Sequence, residues 1–177
     1  TDHSLPELVF RSMVFTFRNT LQTGDLQELA AVMESTGLFY DFEILVALEV
    51  LEASMEHGQA SGYYCLVVEQ DNHCVGYAVF GPTPCTRSGW DIYWMAVSKD
   101  LQGKGLGSEM MSWVEKNIAL QGGTQIWIET SGRKDYEPTR GFYNKHGYEI
   151  MAELPEFYAP GDSKVIYRKK VYICNKD

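Results

Sequence analysis

The chain has 177 residues, 24 acidic against 15 basic side chains, a formal charge of −9, and 45% hydrophobic with 13% aromatic residues. That richness excludes wholesale disorder, which needs low hydrophobicity together with high net charge, and the length suits one domain or a tight pair. An acidic surface disfavours counterion-release binding to nucleic acid, and no apolar run reaches the about 18 residues that mark a membrane-spanning helix.

Residues 12–18 (SMVFTFR) alternate polar and apolar and predict a first strand. Thr23-Gly24-Asp25 supplies turn and cap chemistry before LQELAAVMEST, whose apolar residues recur at helical spacing. A second helix is expected over 40–56, with Ile44, Leu45, Leu48, Leu51 and Met55 on one stripe. The charge is lopsided: residues 1–88 hold 12 acids and 3 bases, residues 89–177 hold 12 of each, and no Lys or Arg falls between Arg18 and Arg87. Glu28, Glu34, Asp41, Glu43, Glu49 and Glu52 lie on the two helices, flanked by Asp25 and Glu56. They are either a solvated face or a field that steers a cation.

Strand-like runs at 63–69 and 74–80, separated by Gln70-Asp71-Asn72-His73, read as an antiparallel hairpin. GPTPCTRSG (81–89) is a loop, and WDIYWMAV (90–97) a further strand. Alternation along it puts Asp91, Tyr93 and Met95 on one face and Trp90, Ile92 and Trp94 on the other. Leu106, Met110, Trp113, Val114 and Ile118 mark an amphipathic helix over 105–120, ended by Gly122-Gly123. A strand at 124–130 leads to a short helix at 138–146, with Pro138 in its first turn and Gly147 at its end. YEIMAEL and SKVIYRKKVYI close the chain as two more strands. The order β-α-α-β-β-β-α-β-α-β-β predicts one α/β (α+β) domain over 1–177, with a mixed, largely antiparallel sheet of about seven strands and about four helices. Cys65, Cys74, Cys85 and Cys174 show no metal-ligand spacing, so no metal is expected, and thiols in strand-like stretches suit a reducing compartment. The opening TDHSLPELVF lacks a signal-peptide pattern, and the cytoplasm is the expected location.

The segment Val97-Ser98-Lys99-Asp100-Leu101-Gln102-Gly103-Lys104-Gly105-Leu106-Gly107-Ser108 joins an apolar strand to the amphipathic helix. Glycines let backbone approach a ligand, and the free amides of a helix N-terminus favour phosphate. The P-loop pattern fails, because Gly105 follows Lys104 and position 98 is Ser98. A dinucleotide fingerprint would follow the first strand of a parallel βαβ unit, and this loop follows a hairpin and a third strand.

QGKGLG resembles the Q/R-x-x-G-x-G/A signature of the GNAT superfamily of acyl-CoA-dependent N-acetyltransferases. WMAVSKDLQGKGLG is similar to that family's fourth strand and pyrophosphate loop, and ETSGRKDYEPTRGFYNKHGYE to its fifth strand and following helix. There a tyrosine precedes a glycine–aromatic pair by four residues, here Tyr143 and Gly147-Tyr148. The resemblance covers nearly the whole chain. It implies transfer of acetyl from acetyl-CoA, as co-substrate, to an amine by direct attack.

Under that resemblance the amides of Gly103, Lys104, Gly105, Leu106 and Gly107 cradle the pyrophosphate, with a hydroxyl from Ser108. Gln102 braces the loop, and Lys104 is either a rim charge or plain solvated surface. Met95, Ala96 and Val97 match the strand segment whose main chain meets the thioester carbonyl, where donors aimed at developing charge are often worth a few kcal/mol. Tyr143 is the implied general acid, a phenol of pKa about 10 facing a thiolate whose thiol titrates near about 8.5. Its neighbour Phe142 is expected to face the core. An alkylamine of pKa about 10.4 must lose a proton before it attacks. Asp91 is the candidate base, either through water, as a site for the cation, or as one end of a sheet salt bridge; Glu129 is the second candidate. His73 and His146 are expected to be exposed. The first two helices and the Phe157–Asp162 loop, with Tyr158, are the implied acceptor side, and the acceptor class is a cationic primary amine on a small molecule or peptide. A homodimer is possible in such folds. The alternative function is a non-catalytic acyl-CoA-binding module, with an NAD-dependent oxidoreductase a distant third.

Overall fold

In the computed structural model, which describes residues 14–172, one half of the sheet is built on a hairpin. Asp71 and Asn72 both hold left-handed backbone (φ 51 and 64), the two-residue turn that suits right-twisted strands. It joins β2 (Tyr64–Gln70) to β3 (His73–Pro82). Around it stand β1 (Thr16–Arg18), α1 (Asp25–Thr36), α2 (Asp41–His57), β4 (Gly89–Val97), α3 (Leu106–Leu120), β5 (Gln125–Ser131), α4 (Glu137–Lys145), β6 (Glu149–Ala159) and β7 (Asp162–Lys170). The seven strands run β1-β2-β3-β4-β5-β7-β6. Among the described residues β4–β5 is the parallel pair, and the other pairs are antiparallel. Architecture and element order match the expectation. Residues 12 and 13 of the anticipated first strand, and Cys174, lie outside the described residues.

Both faces of β2 and β3 are covered, which explains their nearly unbroken apolar sequence. Leu66, Val68, Ala78 and Phe80 meet Leu106, Met110, Val114 and Ile118 of α3. Cys65, Val67, Tyr77 and Val79 meet Leu29 and Met33 of α1 and Ile44, Ala47 and Leu51 of α2. Cys65 and Cys74 are buried free thiols, and Cys85 is an exposed one.

Three sequence expectations need correction. The buried stripe of α2 is Ile44, Ala47 and Leu51, whereas Leu45 is 62% exposed and Met55 is also exposed. Apolar residues occur all round this helix, so its period is ambiguous in the sequence. The Phe157–Asp162 loop is mostly strand: β6 runs to Ala159, and Pro160-Gly161 alone makes the turn, with Gly161 at φ 78. The strict alternation read for β4 also fails. The β3–β4 register pairs Val79 with Trp94 but Phe80 with Ile92, so Tyr93 is an inserted residue, a β-bulge. Tyr93, Trp94 and Ala96 therefore pack on the α1/α2 side, while Trp90, Ile92, Met95 and Val97 pack on the α3/α4 side.

Candidate active site

The bulge sits where β4 leaves β5. Pairing between them covers only Gly89–Ile92 with Gln125–Ile128. Beyond that, Tyr93–Val97 has no partner on this side, and Glu129–Ser131 pairs with β7. The sheet is thus open between its two central strands. The Ser98 amide donates to the Val75 carbonyl at 2.8 Å, and alternation back along the ladder turns Ala96 towards β3 and the amides of Met95 and Val97 into the opening. The Val97 carbonyl accepts the Gln102 side-chain amide at 3.2 Å, which holds the following loop against the strand end.

That loop turns on Gly103 (φ +73) and Gly105 (φ +93), left-handed positions with open space where a Cβ would project. Gly105 caps α3, so the first-turn amides of Leu106 and Gly107 have no helical carbonyl partner. The exposed backbone and free donors fit an anionic pyrophosphate. Gly107 faces α4, where a Cβ would be in contact with the Phe142 ring at 3.4 Å. Lys104 is exposed. The Ser108 hydroxyl lies 3.0 Å from His146 Nε2, and His146 is half-buried rather than exposed, its ring 4.4 Å from Phe142. Burial lowers the His146 pKa. His73 is exposed, as expected.

Tyr143 is 9% exposed, and Phe142, the more open of the two, packs against the α3/α4 core as expected. The Tyr143 ring lies 5.8 Å from Phe142, 6.0 Å from Tyr148 and 5.5 Å from Tyr167. Burial raises its pKa and keeps the phenol protonated. Asp91, half-buried, pairs with Gly81 on β3 and Trp127 on β5. Desolvation raises its pKa, helped by the Glu129 charge and opposed by the Thr83 hydroxyl. It projects to the α1/α2 face, across the sheet from Tyr143 in the α3/α4 core. Glu129 is paired with Lys164 Nζ at 2.6 Å.

Residues 61–150 match the model of the acetyltransferase (GNAT) domain. A crystal structure from Desulfovibrio desulfuricans, assigned to the GNAT acetyltransferases, is 39% identical over 89% of this chain and 99% of its own, with a TM-score of 0.86. The chain belongs to the GNAT acetyltransferases. At 14% identity, the ribosomal-protein-S18-alanine N-acetyltransferase of Escherichia coli shares the fold (TM-score 0.71, 93% of this chain and 98% of that one). So does the PaiA N-acetyltransferase of Thermoplasma acidophilum in complex with coenzyme A, 16% identical (TM-score 0.68, 89% and 99%). A search of curated proteins gives no significant match.

Just after β5 ends, this GNAT chain carries an Arg133 cluster that no sequence signal announced. The Arg133 guanidinium lies over the rings of Tyr40 (4.8 Å) and Tyr136 (5.0 Å). It donates to the Tyr40 hydroxyl and, at 3.3 Å, to the Leu38 carbonyl, which the Tyr136 hydroxyl also reaches at 3.3 Å. The α1–α2 connection is thereby strapped to the start of α4. Beside it, Lys164 Nζ sits 3.7 Å from the Phe157 ring centre and 5.7 Å from that of Tyr158. Tyr158 is pushed up to about 12 by burial and the charges of Glu129, Asp162 and Glu43. The helix acids mostly have other places. Glu34, Asp41, Glu49, Glu52 and Glu56 are exposed, Asp25 is buried against Arg18, and Glu28 accepts from the Cys74 amide at 2.6 Å. Of that set, Glu43 faces the Tyr136–Tyr158 end.

Proposed function

We propose that this GNAT chain transfers an acetyl group from acetyl-CoA to the nitrogen of a primary amine by direct attack. The observation that carries this reading is the opening between β4 and β5, with the Gly103–Gly107 turn at its mouth. Acetyl-CoA supplies an activated thioester. The turn amides from Gly103 to Gly107 hold its pyrophosphate, and Gln102 keeps them in place. Ser108 lends a hydroxyl while staying oriented by His146. The Met95 and Val97 amides donate to the thioester oxygen as negative charge grows there. Ala96 fixes their direction by its bond to β3.

Asp91, with its raised pKa, receives the amine proton through water. As nitrogen bonds to the acyl carbon, the carbon–sulfur bond breaks and the sulfur takes the Tyr143 phenol proton. After attack the nitrogen sheds its second proton to solvent, which returns one to Tyr143, so the products are the amide, the free CoA thiol and the one proton taken up through Asp91. The exposed acids Asp41, Glu49, Glu52 and Glu56 of α2 support a cationic acceptor, on a small molecule or a peptide. The test is thiol release from acetyl-CoA against a panel of amines. Release that depends on the amine, with the acetylated product found by mass spectrometry, is expected. Tight CoA binding without release for any amine would replace this reading with a non-catalytic acyl-CoA-binding module.

A further inference from the structure

The Ser108 hydroxyl stands in the first turn of α3, directly after the Gly103–Gly107 turn, and lies 3.0 Å from His146 Nε2 at the end of α4. Two arrangements of the proton between those atoms satisfy the contact. Either Ser108 donates to a bare Nε2, or a protonated Nε2 donates to Ser108 Oγ. They differ in what the hydroxyl offers the loop. In the first its proton is spent, and the remaining lone pairs repel a phosphate oxygen. In the second the O–H is free to donate to one. The imidazole is held by the Phe142 ring, 4.4 Å away, which itself packs against the α3/α4 core. The charged groups facing the imidazole are Glu115 of α3, Lys169 of β7 and Lys145 of α4. Glu115 is engaged by Lys169 Nζ at 2.7 and 2.8 Å. Burial lowers the His146 pKa; Glu115 opposes that and the two lysines add to it, so the ring in the free chain is neutral at ordinary pH.

We propose that His146 is a positioning residue for the coenzyme: protonated at Nε2, it turns the Ser108 O–H towards the pyrophosphate, and coenzyme binding draws a second proton onto its ring. The inference rests on the reading that the Gly103–Gly107 amides and Ser108 hold that pyrophosphate. A neutral ring reaches the donating arrangement by carrying its one proton on Nε2, so binding proceeds at high pH. The doubly protonated ring always has an Nε2–H, and it adds a positive charge beside two negative phosphates. The coenzyme thereby supplies the anion that Glu115, tied to Lys169, does not. By linkage, a proton held more tightly in the complex means a coenzyme held more tightly by the charged ring. That gain is full below the pKa of the free chain. It is lost as pH rises through the higher pKa of the complex.

Dephospho-CoA is the probe, because it keeps the pyrophosphate but lacks the 3′-phosphate, whose own titration near about pH 6 would overlay that of the ring. Calorimetry on the full chain, from about pH 8 to about pH 5.5, spans the ordinary histidine range. Kd is expected to tighten about tenfold as pH falls, the equivalent of a pKa about one higher in the complex. Titrations in buffers of different ionisation heat should show proton uptake on binding. His146→Gln keeps an N–H near the place of Nε2 and cannot take a charge, so its Kd should match the parent's at about pH 8 and stay flat. His146→Phe, which lacks the donor, should bind more weakly than His146→Gln at every pH. In the unaltered chain, the His146 ring signal followed by NMR should titrate at higher pH with dephospho-CoA than without it, whatever the variants do. A flat parent Kd, an equal slope in His146→Gln, equal binding by the Gln and Phe variants, or an unmoved ring titration would each overturn the inference and leave the coenzyme loop standing. Failure of the parent to bind dephospho-CoA at any pH removes the coenzyme reading of that loop, and this inference with it.

Discussion

At Tyr143, burial raises the phenol pKa, so the hydroxyl keeps its proton well past neutral pH, the state a general acid needs, and its transfer to a thiolate, the weaker base, is an uphill step coupled to carbon–sulfur cleavage. Tyr143→Phe should lower kcat about a hundredfold, the lower range for a positioned acid, while CoA binding by calorimetry is retained. Loss of binding with kcat intact would mean that the ring merely packs. Asp91 works the other way round. Its folded pKa is raised, chiefly by desolvation, so the folded chain holds that proton more tightly than the unfolded one. Its contribution to stability therefore falls as pH rises through the carboxylate range. Asp91→Asn should melt higher than the parent at neutral pH, with the difference closing in acid; melting curves across pH check the sign. Both residues were legible in the sequence, Tyr143 from FYNKHGY and Asp91 as an acid inside an aromatic strand. Their surroundings were not, because Tyr167 and Thr83 reach them only through tertiary packing.

Among the elements, helices and the hairpin declare themselves through period and turn residues, whereas β4 does not. One inserted residue at Tyr93 shifts the phase of everything after it, and nothing in WDIYWMAV marks where the shift falls. The seating of α1 was also hidden. Arg18 donates to both Asp25 oxygens at 2.8 Å and to Glu69 at 2.7 Å, which ties α1 to β1 and β2 across 51 residues of chain. Read from the sequence, Asp25 was only a cap. Burial alone would raise the Asp25 pKa, but Arg18 and the Gln22 amide pull it below the usual range. The stability it gives is present above the unfolded Asp pKa and is lost as pH falls through the lowered value. Asp25→Asn should cost about 3 kcal/mol at neutral pH, since Arg18 is left with a buried, half-answered charge. Urea unfolding at neutral and acid pH measures both the loss and its disappearance.

On the scale of the whole molecule, the charge of −9 resolves into distinct uses. Exposed acids lie mainly on α2, while the charge-balanced half carries the loop proposed to hold an anionic coenzyme. Raising salt shortens the screening length from about 10 Å at 0.1 M to about 3 Å at 1 M. The KM of a cationic amine should therefore rise with salt, and that of an uncharged amine should stay flat. Equal responses would reduce the acidic helices to a solvated face. The lopsided count was visible at once in the sequence. Its division into ion-paired, hydrogen-bonded and solvated acids depended on which helix face turned inward.

The short β4–β5 ladder has a consequence for how the domain is assembled. β1 to β4 and β5 to β7 are each continuous in the chain, and four residue pairs stitch the two pieces together. Each piece can zip with its neighbours in sequence, but the stitch must wait for α3 to cross over, the slow kind of contact. Native-state amide exchange should accordingly be slowest at Val67 and Ala78 and much faster at Met95 and Val97, which lie in the same layer. A coenzyme spanning the gap would act as the missing rungs, so its binding should raise protection in both pieces at once. The groove is then the place where ligand affinity and the cohesion of the fold are one quantity.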